Sequence, residues 1–83
     1  MLECAAQQAA VALGYYATAS GDFATALGSD AAAAGSDATA LGGGSRAQGA
    51  GSTAVGEQAS AQGFLATAIG GDTVAFGSGD IAF

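Results

Sequence analysis

Every seventh residue from Gly14 to Gly77 is glycine, ten in unbroken register, and an alanine stands two residues before each, from Ala12 to Ala75. Ala82 carries the alanine series one step further. A fixed short period constrains the architecture before any local propensity does, because it means one small unit stacked on copies of itself. Function in such a chain is expected on a surface and not in a pocket.

Eighty-three residues make one small domain, and the 51% hydrophobic content is mostly alanine. Chains near or below roughly 80 residues usually need disulfides, metal or oligomerisation to be stable. With one cysteine and no histidine, an intrachain disulfide and an ordinary zinc site are both excluded, which leaves oligomerisation. Seven acids against a single base, Arg46, give a formal charge of −6. That balance argues against a nucleic-acid partner, which needs a Lys/Arg footprint, and against docking on anionic lipid. No apolar run is long enough for a membrane-spanning helix, and the N-terminus lacks the basic region of a secretory signal.

Seven positions, a to g, describe the repeat when a is set at Ala10. Position c is always alanine, e is always glycine, and a is small until Asp80. Positions b and d alternate between repeats. One half carries Val11/Leu13, Thr25/Leu27, Thr39/Leu41, Thr53/Val55, Thr67/Ile69 and Ile81/Phe83. The other carries Thr18/Ser20, Ala32/Ala34, Arg46/Gln48 and Ser60/Gln62, then Val74/Phe76. The true unit is therefore 14 residues long. A seven-residue period also suggests a coiled coil, but a glycine in every heptad would cost about 1 kcal/mol each and no apolar a/d seam exists. A structureless Ala/Gly chain would have no reason to keep the alternation of b and d.

An extended chain fits the pattern. Side chains alternate faces along a strand, so a and c point one way and b and d the other. The small a/c side would line a thin roll, with the glycine at e, together with f and g, turning each corner, since glycine allows φ > 0 or a tight bend without a Cβ clash. Two strands and two corners make a coil, and coils stack in parallel at roughly 4.8 Å, so residues 10–83 give a rod of about 25 Å. Residues 1–9, which include Cys4, form an N-terminal cap or partial coil, with Cys4 at b and Ala5 at c if the frame is extended. An inert thiol and an interchain crosslink are both open for Cys4. Outside the roll, Leu13, Leu27, Leu41, Val55, Ile69 and Phe83 form an apolar stripe flanked by Val11, Ile81 and the four threonines. Burial of each large residue contributes about 1.5–3 kcal/mol, so this face is expected to be covered by sister chains. Symmetry alone allows two or three.

The segments Ala-Thr-Ala-Leu-Gly (24–28 and 38–42), Ser-Thr-Ala-Val-Gly (52–56) and Ala-Thr-Ala-Ile-Gly (66–70), each alternating with an Ala-x-Ala-x-Gly half, resemble the head repeats of trimeric autotransporter adhesins of the YadA type. The resemblance covers residues 10–83. It implies an all-β fold, a left-handed parallel β-roll of 14-residue coils assembled as a homotrimer. It also implies exposure on a Gram-negative outer membrane, and contact with host matrix, cells or surfaces. The trimer interface would then hold Val11, Leu13, Thr25, Leu27, Thr39, Leu41, Thr53, Val55, Thr67, Ile69, Ile81 and Phe83. The ligand-facing positions would be Thr18, Ser20, Arg46, Gln48, Ser60 and Gln62. The chain has no asparagine, so the Asn-Ser opening of the family's usual motif is absent. Neck, coiled-coil stalk and membrane barrel would lie outside these residues, and the fragment itself would not insert into a membrane.

Catalysis is not expected. Without histidine or lysine, a Ser-His or Ser-Lys nucleophile cannot be built. Asp22, Asp30, Asp37, Glu57 and Asp72 fall at corners, as solvated charges on a convex rod. Calcium-binding β-rolls have a nine-residue period with regular aspartates, which is not the pattern here. Gly42-Gly43-Gly44 and Gly49-Ala50-Gly51 lack the strand-to-helix context of a phosphate loop. No cofactor or metal is expected. Tyr15, Tyr16, Phe23, Phe64 and Leu65 place large side chains at corners, where they would pack on a neighbouring chain or meet a ligand. Val74, Phe76 and Asp80, the last in a normally small inward slot, suggest that the regular roll is ending. Two other functions remain open: an ice-binding solenoid using the Thr25/Thr39/Thr53/Thr67 ladder, and a structural segment of a bacteriophage fibre.

Overall fold

Each half-repeat with an apolar d residue forms a short strand: β2 (Val11–Leu13), β4 (Thr25–Leu27), β6 (Thr39–Leu41), β8 (Thr53–Val55), β10 (Thr67–Ile69) and β12 (Ile81–Ala82). The alternate halves form β1 (Cys4–Ala5), β3 (Thr18–Ala19), β5 (Ala32–Ala33), β7 (Arg46–Ala47), β9 (Ser60–Ala61) and β11 (Val74–Ala75). The computed structural model describes residues 10–83 together with the strand Cys4–Ala5. The even-numbered strands make one six-stranded sheet and the odd-numbered strands another, all neighbours being parallel. Register is constant at fourteen residues, as in Thr25↔Thr39↔Thr53 and Ala33↔Ala47. Cys4 pairs with Thr18 and Ala5 with Ala19, which puts them at positions b and c of the frame. The result is a parallel β-solenoid of 14-residue coils, with principal extents of 29 × 22 × 10 Å.

The interior is built of methyl groups. Alanines at a and c are fully buried from Ala12 to Ala68, and Ser45 and Ser52 occupy the same kind of slot. The short dimension of 10 Å is what two ordinary sheets need for their separation alone, and only side chains this small fit between sheets so close. Alanine and glycine are poor strand formers by themselves. The fold is held by a backbone ladder that runs around the corners as well as along the strands. The Asp30 N–H donates to the Tyr15 carbonyl and the Gly44 N–H to that of Ser29, each at 2.8 Å.

The corners divide the work among their residues. Each is a four-residue turn, e-f-g-a, closed where the N–H of a donates to the carbonyl of e, as from Ala31 to Gly28 at 3.2 Å. The residue at g is left-handed: Tyr16, Phe23, Asp30, Asp37, Gln58, Leu65 and Asp72 all have φ between 59° and 63°. That is the third position of a type II turn, which demands φ > 0. Glycine at e answers two other demands. In the halves with an apolar d residue it also has positive φ, 121° at Gly28. In the alternate halves it lies against the next coil, and a Cβ on Gly35 would stand 2.2 Å from the Gly49 carbonyl oxygen.

Asp80 is a departure from the small residues at a. It lies at the end of the stack, where no further coil covers it; the residue is exposed and its carboxylate accepts the Gly77 N–H at 2.9 Å. A charge can be accommodated there because it stays in contact with water and caps a backbone group instead of being buried. Thr73, at the preceding a position, satisfies its hydroxyl by donating to the Gly70 carbonyl at 2.9 Å.

Candidate functional site, two faces and a groove

The strand pleat sends b and d outward on both sheets, so the molecule has two broad faces of different chemistry. On the even-numbered sheet, Leu13, Leu27, Leu41, Val55 and Ile69 stand in one column, and Val11, Thr25, Thr39, Thr53, Thr67 and Ile81 in the next. Leu27, Leu41, Val55 and the four threonines are half-buried by their neighbours in the stack. Leu13 is 45% exposed, Ile81 65% and Phe83 83%, increasing where the stack ends. Eleven of the twelve residues expected at an interface therefore share one continuous face, and Phe83 follows directly after its last strand.

The opposite sheet carries Thr18, Ser20, Arg46, Gln48, Ser60 and Gln62 on its outer side, all half-buried or exposed. They form two columns interrupted by Ala32 and Ala34, which leave a low step between Thr18/Ser20 and Arg46/Gln48. The Gln62 amide donates to Ser60 Oγ at 3.1 Å.

Two ridges of corners separate the faces. One bears Tyr15 and Tyr16, whose rings meet edge-on with centroids 4.4 Å apart. The other bears Phe23, Phe64 and Leu65, each more than half exposed. Leu65 leans over the coil before it: a Cβ on Gly51 would lie 2.6 Å from Leu65 Cδ2.

The rod is not uniformly convex, contrary to the sequence expectation. Where the Tyr15–Tyr16 ridge meets the odd-numbered sheet, a half-open groove of about 560 Å³ runs past Asp30, Ala32, Gly44, Arg46, Gln58 and Ser60. Its depth comes from Gly44, which puts no side chain between Asp30 and Gln58 in the g column. Columns fourteen residues apart, once written out, give the only sequence signal for it: small between large at g, and small beside the sole base at b. Among the described residues no cluster of three or more potential metal ligands occurs. Among the same residues no helix is long and apolar enough to cross a membrane.

A repeat whose period, strand register and alanine interior are all of this kind defines a parallel β-roll head module. The family described as YadA head domain repeat (2 copies) matches residues 5–31, 33–59 and 61–83. The chain belongs to this family, a family of trimeric autotransporter adhesin heads, structural adhesins exposed on the Gram-negative outer membrane. No curated protein matches the chain.

Proposed function

We propose that the chain is the adhesive head of a trimeric surface adhesin, a left-handed roll of which three copies pack side by side. The even-numbered sheet turns its aliphatic column toward the threefold axis, and the odd-numbered sheet faces the ligand. The observation that carries this reading is the unbroken column from Leu13 to Ile69, part-exposed in the single chain and flanked by threonines in strict register. The thin methyl-lined interior has no room for these side chains, so covering them requires another molecule. Family membership supports three copies and display on the outer surface of a Gram-negative cell.

Adhesion then works by repetition. The polar face of Thr18, Ser20, Arg46, Gln48, Ser60 and Gln62 would contact host matrix, a cell or another surface. Three rigid copies convert weak single contacts into avidity through high effective concentration. Light-scattering mass tests the reading: a three-chain mass supports it, and a single-chain mass at working concentration overturns it.

The registered ladder Thr25/Thr39/Thr53/Thr67 keeps an ice-binding solenoid as the second reading. That function needs the same face open to water, so it goes with a monomer and thermal hysteresis. A bacteriophage fibre segment would share the trimer and differ in its genomic neighbours.

A further inference from the structure

We infer that the groove beside Arg46 is a binding site for a carboxylate-bearing saccharide, a sugar acid of the uronic or sialic kind. Arg46 is the only Lys or Arg in the chain. It is exposed, and its guanidinium makes none of the side-chain hydrogen bonds among the described residues. Its planar fork of donors is matched to a carboxylate. Ser60 sits one coil further in the same column, and its oxygen already accepts from the Gln62 amide. Its O–H is thereby left to donate toward the groove. Gln58 adds an amide with both donor and acceptor, and Asp30 on the far rim offers acceptors only.

The arrangement separates the two halves of such a ligand. Arg46 and Ser60 take the carboxylate, while Asp30 and Gln58 accept from ring hydroxyls. Asp30 and Gln58 occupy the same position two coils apart, roughly 9–10 Å at ordinary strand spacing, with only Gly44 between them. That span suits one saccharide ring, and the groove volume of about 560 Å³ lies within the range of small-molecule sites. A single negative charge fits better than a phosphate or sulfate, because one cation stands in a chain of formal charge −6. An extended peptide strand is disfavoured, since the backbone here is committed to the coil-to-coil ladder: the Arg46 N–H donates to Ala59 and the Ala32 N–H to Ser45. No sheet edge borders the groove for a peptide to pair with.

This deepens the adhesive reading of the odd-numbered sheet and rests on it for the biological role. The groove itself is formed within one chain, so a monomer would sink the trimer and leave the site to be tested separately. The test is an amide and side-chain NMR titration of the intact chain with glucuronate, N-acetylneuraminate, neutral glucose and N-acetylaspartate amide. Support consists of saturable shifts with either sugar acid, confined to Asp30, Gly44, Arg46, Gln58 and Ser60, and weaker ones with glucose. Arg46→Gln should raise the dissociation constant about tenfold or more, the effect of losing a charge-assisted pair, with the remaining spectrum unchanged. Ser60→Ala should weaken binding less. Should Arg46→Gln disturb the fold, Arg46→Lys keeps the charge, loses the fork, and should still bind more weakly than wild type. The proposal is overturned by an absence of saturable shifts, by equal binding in Arg46→Gln, or by equal binding of glucose. It is also overturned if N-acetylaspartate amide binds as well as the sugar acids, which would make the site a contact for acidic protein side chains.

Discussion

The Cβ that Gly35 lacks would stand 2.2 Å from the carbonyl oxygen of Gly49, one coil further along the stack. Both partners in that contact are backbone, and neither can move without breaking the ladder of the coil it belongs to. Gly35→Ala should therefore cost at least about 3 kcal/mol, the upper end of ordinary overpacking, because no side chain can rotate away. Gly43 supplies the contrast. A Cβ there finds only the Ser29 carbonyl oxygen at 3.8 Å, and its φ is not positive. Gly43→Ala should be neutral or stabilising by about 0.4–1 kcal/mol through the unfolded chain. Denaturant unfolding of the two variants checks the difference; similar midpoints would mean that coils are less closely stacked than this.

Two interior serines should respond differently to removal. Ser45 Oγ donates to the Gly42 carbonyl at 2.9 Å. Ser52 Oγ is buried and has no partner. Equivalent slots in other coils hold Ala24, Ala38 and Ala66, so alanine fits without strain. An unsatisfied buried hydroxyl costs about 1–3 kcal/mol, so Ser52→Ala should raise stability by about 1 kcal/mol while Ser45→Ala changes it little or lowers it. Equal changes would show that the Ser52 hydroxyl has turned to a carbonyl, as those of Ser45 and Thr73 do.

Position g explains why part of the fold was legible in the sequence and part was not. The coil, the alanine interior and the facing of b and d follow from small residues at a with invariant alanine at c and glycine at e, and the 14-residue length from the alternation at b and d. The extended frame even carries Cys4 into register with Thr18. The left-handed corner residue escaped because g is chemically mixed, holding Tyr16, Asp30, Gln58 and Leu65 in the same conformation. There the backbone is set by the neighbouring coil, through bonds such as that from the Leu65 N–H to the Ala50 carbonyl, and local preference is overridden. The groove escaped for a related reason. Gly44 reads as one corner glycine among several, and its consequence exists only once Asp30 and Gln58 are stacked on either side of it.

Phe23 pays for that override most visibly. It holds φ at 60° although its side chain is bulky, and it is 58% exposed. A left-handed conformation costs an L-residue roughly 1–2 kcal/mol, and asparagine tolerates it better. Phe23→Asn should raise the stability of the single coil stack by about 1 kcal/mol, read by thermal unfolding under conditions of constant mass. Loss of stability together with a fall in molecular mass would instead place Phe23 in a contact between chains, the other role expected of large corner residues.

Leu41 lies mid-column between Leu27 and Val55 and is half-buried in the single chain. An aspartate there would still reach water in an isolated roll, so folding alone should tolerate Leu41→Asp. In a trimer the same carboxylate would be pressed into an apolar axis with two symmetry copies of itself. An ionised group without a partner in such a place costs several kcal/mol, which should weaken assembly severely or abolish it. Gln48→Asp introduces a carboxylate on the opposite sheet, where Gln48 is exposed, and should leave the mass at three chains. Light scattering beside far-UV circular dichroism separates assembly from folding in both variants. If Leu41→Asp keeps both the β signal and the three-chain mass, the even-numbered sheet does not face the axis, and the polar sheet or a corner ridge must take its place.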